Sequence, residues 1–343
     1  MKDKFNFAIL GCGKIAERHC EVLSKHPESQ IVAVCDIIKE KADNLAKKFG
    51  TEAYYDHQDL INNNMIDVVS ICTPSGLHAE HAIEAAKARK HLVCEKPMAL
   101  NLDDCDRMIE ASVKNNVKLF VVKQNRHNEP ILILKNAIDR NQLGKIYMLN
   151  AQVLWNRTPQ YYKEESWRGT ADLDGGALMN QSSHFVDLMH WLGGNVKSVY
   201  AKMDTFAHDI ETEDTGLVIL KFENGAIGNI VYTTCIYNKN LEGSLAVFGT
   251  RGTVKIGGQY LNEIEHWNVE GMPPPQIKEK LSPNFYGYYQ GSAANHAKFY
   301  ENVIDVLKGR SNSMIMGSDG KKAVEIILAA KESARSGREV FLR

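Results

Sequence analysis

Residues 5–16 read FNFAILGCGKIA, an apolar stretch followed at once by a glycine-rich turn. Phe5–Leu10 predicts a buried strand, and the turn after it has the pattern GxGxxA and opens a helix. In this pattern Gly11 permits a tight turn, Gly13 lets the backbone approach a pyrophosphate, and Ala16 allows the helix to pack closely on the strand. The stretch therefore predicts a dinucleotide site where the first strand of a doubly wound domain ends.

The second predicted strand ends in Asp36, which lies 23 residues after Gly13. An acid about 20 residues past the glycine motif binds the 2′-hydroxyl of the adenine ribose and disfavours a 2′-phosphate. Ile37 and Ile38 follow it without an arginine. The sequence therefore predicts NAD as the cofactor rather than NADP. Lys39 is a nearby cation that could bind a 2′-phosphate, so NADP remains an alternative.

The first third of the chain alternates strand and helix signals, as expected for parallel βαβ units with helices on both faces of the sheet. One such helix, Lys39–Phe49, is expected to end at Gly50. Another, Leu102–Asn115, is expected to be capped by Asn101.

The pattern changes after about Gln124. Successive strand signals are then joined by short turns, such as the hairpin turn Asn224-Gly225, and a long irregular loop is expected at Trp155–Gly176. These signals indicate a mostly antiparallel sheet. The chain is therefore predicted to hold an α/β Rossmann domain, a doubly wound parallel sheet, at residues 1–124. An α+β domain with a mostly antiparallel open sheet is predicted at residues 125–343.

Composition argues against several classes of protein. The net charge of -1 excludes a strongly basic nucleic-acid surface. The longest apolar runs, such as Ile31–Cys35, are far shorter than the roughly 18 residues of a membrane span, and no apolar leader precedes Phe5. The seven cysteines include no CxxC pair, which favours free thiols in a reducing cytoplasm over disulfides or a metal site. We therefore expect a cytoplasmic protein with a small-molecule substrate and no nucleic-acid, membrane or metal partner.

Two further motifs follow predicted strands. Thr73-Pro74-Ser75-Gly76-Leu77-His78 comes after Val68–Cys72, and Glu95-Lys96-Pro97 comes after His91–Cys94. In open α/β sheets, ligands bind at the carboxyl ends of the strands. Both motifs are therefore expected at the cofactor, although alone the first could be a turn with a helix cap and Lys96 a solvated surface lysine.

Together these residues resemble the Gfo/Idh/MocA family, which includes glucose–fructose oxidoreductase and inositol dehydrogenase. The resemblance continues through Trp167-Arg168 and through residues 175–187, GGALMNQSSHFVD, and so extends over nearly the whole chain. It implies a second domain whose open sheet holds the substrate and often mediates oligomerisation, so a homo-oligomer (dimer or tetramer) is expected. It also implies oxidation or reduction of a carbohydrate with NAD(P).

The resemblance assigns roles to individual residues. Lys96 would be the catalytic lysine and His184 the catalytic histidine, which exchanges a proton with the substrate hydroxyl. Many sugar dehydrogenases of the family carry an aspartate where this chain has Asn180, and since an amide takes up no proton, Asn180 would orient the substrate. Judged alone, His184 would more often be a structural histidine of an amphipathic helix. The residues expected at the cofactor are Gly11, Gly13, Lys14, Ile15, Asp36, Thr73, Pro74, Ser75, Leu77, His78, Glu95, Lys96, Gln124, Trp167 and Arg168.

The loop WNRTPQYY at residues 155–162 resembles the bacterial branch of the family that oxidises UDP-N-acetylglucosaminuronate at carbon 3 for surface-polysaccharide synthesis. A guanidinium such as that of Arg157 suits both carboxylate and phosphate, and the aromatic segment Phe285–Tyr289 could stack on a uracil. The residues expected at the substrate are Lys96, Arg157, Tyr161, Asn180, His184 and Tyr289.

Three other interpretations stay open at this point. The loop at 155–162 could be a surface flap or a subunit contact. The chain could act on a free sugar or inositol, as a dehydrogenase or an epimerase. It could also be a non-catalytic dinucleotide sensor, although such a sensor would need neither Lys96 nor His184.

Overall fold

A computed structural model describes residues 2–278, 282–287, 289–312 and 315–342 of the chain. The chain forms two units, the first from residues 1–123 and 296–321 and the second from residues 124–295 and 322–343. The expected division into two consecutive domains therefore differs from the observed one. The helix His296–Leu307 belongs to the first unit because its buried residues pack there, with the Tyr300 ring edge-on to Phe7 at 5.7 Å.

Strands and helices alternate in the first third of the chain, and a run of strands follows. The strands are β1 (Phe5–Leu10), β2 (Ser29–Cys35), β3 (Glu52–Tyr54), β4 (Val68–Ile71), β5 (His91–Cys94), β6 (Leu119–Val121), β7 (Ile146–Leu154), β8 (Val196–Asp204), β9 (Thr215–Phe222), β10 (Ile227–Thr233), β11 (Glu242–Gly249), β12 (Gly252–Gly257), β13 (Glu263–Val269), β14 (Pro283–Phe285), β15 (Gln290–Ala293) and β16 (Val340–Phe341). The helices are α1 (Lys14–Leu23), α2 (Lys39–Phe49), α3 (His57–Ile61), α4 (His78–Lys87), α5 (Leu102–Lys114), α6 (Glu129–Asp139), α7 (Pro159–Glu164), α8 (Ala177–Asn180), α9 (Ser183–Gly193), α10 (His296–Leu307) and α11 (Gly317–Ser336). Short 3-10 helices lie at Ser75–Leu77 and Gln124–His127.

The sheet of the first unit has six parallel strands in the order β3-β2-β1-β4-β5-β6, which confirms the Rossmann prediction. Strand order reverses between β1 and β4, and at such a switch point the loops after the two strands separate and leave a place for a ligand. The glycine-rich turn after β1 and the Thr73 segment after β4 therefore lie at the same edge of the sheet.

Helix ends in the first unit follow the local sequence. Gly50 ends α2 in the left-handed region, with φ at +66°, where a residue without a Cβ is favoured. Asn101 caps α5 by accepting the backbone N–H of Asp104 at 2.8 Å. Both ends confirm the sequence predictions.

The sheet of the second unit has eight strands in the order β13-β12-β11-β7-β10-β9-β8-β16. Its neighbouring strands are antiparallel except for β7 and β10, so the prediction of a mostly antiparallel sheet is confirmed. The hairpin β9–β10 turns at Asn224-Gly225 as predicted, with the φ of Gly225 at +90°. One face of the sheet is covered, whereas Leu217 and Ile219 of β9 point away from it and are more than half exposed.

One segment that was expected to be irregular contains a helix. Within Trp155–Gly176, α7 begins after Thr158, whose hydroxyl accepts the backbone N–H of Tyr161, and Pro159 occupies its first position. A threonine cap followed by proline is a helix-start signal, so this expectation was wrong for residues 159–164. Across the described ranges of the chain, no helix is both long enough and apolar enough to cross a membrane.

Candidate active site

The glycine-rich turn has the geometry that a dinucleotide site requires. Gly11 has a φ of +91°, and a Cβ there would lie 2.7 Å from the carbonyl carbon of Cys72, so no side chain fits. A Cβ on Gly13 would meet no described atom within 4 Å, so the backbone at the start of α1 is open to close approach. Lys14 and Ile15 form the first turn of α1, whose N-terminus attracts phosphate. These residues fit the pyrophosphate of NAD.

Asp36 is fixed at the end of β2 by two backbone hydrogen bonds. Its Oδ2 accepts the N–H of Cys12 at 2.8 Å, and its Oδ1 accepts the N–H of Ile38 at 2.8 Å. The carboxylate is therefore bonded to the glycine-rich turn itself, where a ribose hydroxyl would be recognised. Lys39, the cation that kept NADP open, has its Nζ 5.2 Å from the centre of the Tyr55 ring. This contact gives Lys39 a partner other than a 2′-phosphate.

His78 connects the two motifs that follow β4 and β5. Its Nδ1 lies 2.8 Å from the carbonyl oxygen of Pro97, and its Nε2 lies 2.9 Å from that of Thr73. Burial lowers the pKa of this imidazole. Ser75 and Leu77 lie in the 3-10 turn that directly precedes His78, the first residue of α4. His78 therefore holds two loops together, a role that the sequence did not indicate.

Lys96 follows a buried glutamate. Glu95 is 6% exposed, its Oε2 accepts the backbone N–H of Lys96 at 3.0 Å, and its Oε1 lies 2.9 Å from Nε2 of His19. The Lys96–Pro97 peptide bond is cis. Lys96 is half-buried, and its backbone is tied to the neighbouring carboxylate.

His184 is the second residue of α9 in the second unit and is 3% exposed. Asn180 ends α8 just before it, and its side-chain amide donates to the carboxylate of Asp174. The other oxygen of Asp174 accepts the backbone N–H of Gly169 at 2.9 Å. Asp174 therefore fixes the amide that was expected to orient the substrate. Sequence analysis missed it, although an acid beside the Gly175-Gly176 turn was a usable signal.

Arg157 is buried among aromatic rings, at 2% exposure. Its guanidinium carbon lies 5.2 Å from the Trp155 ring, 5.4 Å from the Tyr161 ring and 5.2 Å from the Tyr289 ring. We call these three residues the aromatic cage. Tyr288, another tyrosine of the expected aromatic segment, lies outside the described residues. Arg157, Tyr161 and Tyr289, which were expected together at the substrate, are thus brought together.

The hydrogen bonds of Arg157 leave its charge without a carboxylate. Nε donates to Gln181 Oε1 at 2.9 Å, and Nη1 donates to the carbonyl of Asn156 at 2.7 Å and to Asn240 Oδ1 at 3.4 Å. Among the described residues, no carboxylate oxygen lies within 4 Å of this guanidinium. Its third nitrogen, Nη2, donates no hydrogen bond to any described residue. A buried cation is expensive unless it is paired, so the arrangement favours an anion.

The remaining residues expected at the cofactor lie in the second unit. Arg168 packs over Tyr161, donates to its carbonyl at 2.7 Å and pairs with Glu164 at 3.2 Å. Trp167 beside it is half-buried. Gln124 lies in the 3-10 turn after β6 and donates to Ser292 Oγ at 2.9 Å. Their contact with the cofactor stays a prediction.

A histidine whose side chain is only 5% exposed, His208, was also missed by sequence analysis. Nε2 of His208 lies 2.7 Å from the carbonyl oxygen of Arg157, and its Nδ1 lies 3.0 Å from Asp214 Oδ2. Asp214 is fully buried and accepts further backbone N–H groups of residues 206–208. The contact joins residues 51 positions apart, and neither motif nor spacing signals it.

Comparison with known protein families matches both units. The family model for the oxidoreductase family with an NAD-binding Rossmann fold, GFO_IDH_MocA, matches residues 5–123. The GFO/IDH/MocA C-terminal domain matches residues 131–255. These matches include the glycine-rich turn, the Glu95-Lys96-Pro97 motif, the Arg157 loop and His184.

Solved structures and curated relatives point to two kinds of sugar compound, a UDP-sugar and inositol. The WlbA dehydrogenase from Bordetella pertussis, in complex with NADH and UDP-GlcNAcA, is 37% identical, with 99% of each chain covered and a TM-score of 0.90. The WlbA dehydrogenase from Chromobacterium violaceum, with the same two ligands, is 39% identical, covering 99% of this chain and 96% of that one at a TM-score of 0.91. Myo-inositol 2-dehydrogenase from Thermotoga maritima is 28% identical over 97% of both chains. The chain is therefore similar along nearly its whole length to dehydrogenases solved with UDP-GlcNAcA bound and to an inositol dehydrogenase.

Proposed function

This chain belongs to the Gfo/Idh/MocA family and is an NAD-dependent sugar dehydrogenase, and we propose that it oxidises the 3-hydroxyl of UDP-N-acetylglucosaminuronate (UDP-GlcNAcA). The observation that carries the proposal is Arg157, a buried guanidinium that no described carboxylate neutralises. The two WlbA structures with UDP-GlcNAcA support it, at 37% and 39% identity. In this reading the reaction belongs to the synthesis of amino-sugar uronates for surface polysaccharide.

The aromatic cage favours a substrate that is both charged and large. A uronate supplies a carboxylate and UDP supplies a pyrophosphate, and a guanidinium binds either with two parallel hydrogen bonds. Aromatic rings around the guanidinium exclude water and strengthen its interaction with an anion. A free hexose or inositol would leave the positive charge of Arg157 buried and unpaired.

The proposed chemistry removes a hydride and a proton from one hydroxyl, and NAD accepts the hydride when it is bound. We assign proton uptake to His184, because an imidazole exchanges protons near neutral pH. We assign to Lys96 the stabilisation of negative charge that develops on the substrate oxygen. Asn180 would orient the sugar through an amide whose direction is set by Asp174.

A second candidate function is the oxidation of a free sugar or inositol. The 28% identity to myo-inositol 2-dehydrogenase along 97% of both chains favours it. Turnover with NAD of UDP-GlcNAcA, UDP-N-acetylglucosamine and myo-inositol, with the keto position of the product assigned by NMR, separates the two functions. We expect UDP-GlcNAcA to have the highest kcat/KM and to give a 3-keto product. A higher kcat/KM for myo-inositol would favour the second function.

We also propose that the uncovered face of the eight-stranded sheet joins copies of the chain into a homo-oligomer. Leu217, Ile219 and Ile227 on this face are 55%, 53% and 48% exposed, although all three are large apolar residues. They lie on the neighbouring strands β9 and β10 and so form one patch. Contiguous exposed apolar patches commonly mark protein–protein contacts. A cytoplasmic location is part of the same proposal, because all seven cysteines are free.

A further inference from the structure

A hydrogen-bonded network of buried polar groups lies in the first unit and ends at the backbone of Lys96. Ser70 Oγ lies 2.8 Å from the hydroxyl of Tyr300, which lies 2.6 Å from Nδ1 of His19. Nε2 of His19 lies 2.9 Å from Glu95 Oε1, and Glu95 Oε2 accepts the N–H of Lys96 at 3.0 Å. The network thus links β4, α10 and α1 to Lys96.

One assignment of donors and acceptors satisfies every side chain of this network. The Glu95 carboxylate only accepts, so His19 donates through Nε2. Its Nδ1 then accepts from the Tyr300 hydroxyl, whose oxygen in turn accepts from Ser70. In this assignment each of the three side-chain contacts has one donor and one acceptor. Buried networks in which every member is satisfied hold their groups in one arrangement.

We propose that His19 is a positioning residue of this dehydrogenase, which keeps Glu95 a buried carboxylate and so fixes the backbone of Lys96. The inference rests on the proposed catalytic role of Lys96. It adds His19 of α1, which lies 76 positions before Glu95 in sequence, to the residues that orient this lysine.

The surroundings of Glu95 show why its charge depends on His19. Burial alone would raise the pKa of Glu95, but His19 and the nearby His296 hold the pKa of that carboxyl well below its usual range. Loss of the His19 donor would remove one of the two histidines that hold this pKa down while burial continues to raise it, so the pKa of Glu95 should rise. The other titratable groups that face it are His296, Tyr300, His78, Cys72 and Cys94.

The same side chains suggest one competing role. Glu95, His19 and His296 offer ligand atoms within 4.8 Å of one another, as a divalent cation would require. His296 is 1% exposed, and its Nε2 lies 3.6 Å from Glu95 Oε1. The direct 2.9 Å contact between His19 and Glu95 favours a shared proton over a metal ion.

The test compares His19→Leu with His19→Gln, because glutamine keeps a donor for Glu95 and leucine does not. We measure kcat from pH 5 to pH 9 with saturating NAD and whichever sugar the wild type oxidises. His19→Leu should lose about tenfold or more in kcat at pH 7, with its acid limb moved up by about one pH unit or more. His19→Gln should keep the wild-type acid limb, and KM for NAD should stay within about threefold in both variants.

Glu95→Gln keeps the proposal testable should His19→Leu fail to fold. The carboxylate accepts two N–H groups, from His19 and from Lys96, whereas the amide has one acceptor oxygen. One of the two N–H groups would then face an NH2 group, so kcat should fall about tenfold or more at every pH. Ser112→Ala, which removes a buried hydroxyl bonded within its own helix, is the matched control and should change nothing.

Three results would overturn the proposal. They are an acid limb that stays in place in His19→Leu, a kcat in Glu95→Gln within about threefold of wild type, and a stoichiometric zinc ion whose removal by a chelator abolishes turnover. A substrate other than a UDP-sugar would overturn the proposed function and leave this inference intact, since the pH profile does not depend on which sugar is used.

Discussion

The guanidinium carbon of Arg168 lies 4.1 Å from the centre of the Tyr161 ring. Arg168 also donates to the carbonyl of Tyr161, and the guanidinium of Arg157 lies 5.4 Å from the same ring. Tyr161 is therefore shared by two cations, whose mutual repulsion the electron-rich ring reduces. Its hydroxyl accepts from Gln181, which in turn accepts from Arg157, so ring and hydroxyl act on the same guanidinium.

The ring of Tyr161 should matter more than its hydroxyl. We expect Tyr161→Leu to raise KM for UDP-GlcNAcA about five- to thirtyfold, because a cation–π contact of a desolvated guanidinium contributes about 1–2 kcal/mol. Tyr161→Phe keeps the ring and should change KM by about threefold or less. Tyr162→Phe is the control, because it removes the hydroxyl of the next tyrosine, which is hydrogen-bonded to Thr234. Equal effects of leucine and phenylalanine would contradict the role of the ring.

Asp36 should set the choice between the two dinucleotides. Asp36→Asn keeps an acceptor for the glycine-rich turn but loses the charge that repels a 2′-phosphate. Calorimetry should show the preference for NAD over NADP narrowing by about tenfold or more. Lys39→Ala is the control, because Lys39 lies over Tyr55, and it should leave both affinities nearly unchanged. An unchanged preference in Asp36→Asn would show that another group makes the selection.

Much of the first unit could be predicted from sequence because its signals are local. The glycine-rich turn, the end of α2 at Gly50 and the cap at Asn101 each depend on residues within one turn of the chain. The family resemblance likewise assigns the roles proposed for Lys96 and His184 without any knowledge of contacts, and these roles stay predictions.

The features that sequence could not supply depend on contacts between distant residues. His208 reaches the carbonyl of Arg157, and Tyr300 reaches His19 across 281 positions. Strands β12 and β13 were not predicted, because their short alternating stretches become strands only when β12 pairs with β11 and β13 pairs with β12. Helix α10 carries a clear apolar face, but that face alone did not say which unit it covers.

Buried histidines should make the protein sensitive to acid. Burial lowers the pKa of His81 to about 4, whereas an unfolded histidine titrates near 6.5. Because the folded-state pKa is depressed, the unfolded state binds the proton first, and stability present above pH 6.5 is lost as the pH falls towards 4. From pH 6.5 to pH 5 this group should cost about 2 kcal/mol of unfolding free energy.

Urea unfolding of His81→Gln across this pH range measures that loss, and the variant should lose correspondingly less stability than wild type. The exposed His266 provides the control, since His266→Gln should keep the wild-type pH dependence. Parallel curves for wild type and His81→Gln would show that this histidine takes no part in acid sensitivity.

The exposed face of the second sheet should control oligomeric state. Replacing both Leu217 and Ile219 with lysine places charges on the patch, and light scattering should then report a smaller assembly than wild type. Val113→Lys alters a residue that is 74% exposed on α5 and should leave the mass unchanged. If the double variant keeps the wild-type mass, the interface between copies lies on another surface.

The central claim is that Arg157 recognises the charge of a nucleotide-sugar uronate. Calorimetric binding of UDP-GlcNAcA and of UDP-N-acetylglucosamine to the NADH complex tests it most directly, in wild type, Arg157→Lys and Arg157→Gln. Lysine keeps the charge but not the planar fork, whereas glutamine keeps neither. Loss of one charge-assisted contact costs about 1.5–3 kcal/mol, so Arg157→Gln should weaken UDP-GlcNAcA about ten- to hundredfold, with Arg157→Lys in between. Tighter binding of UDP-GlcNAcA than of UDP-N-acetylglucosamine in wild type, lost in Arg157→Gln, is the predicted result. Equal binding of the two sugars in wild type, or full retention of UDP-GlcNAcA affinity in Arg157→Gln, would contradict it.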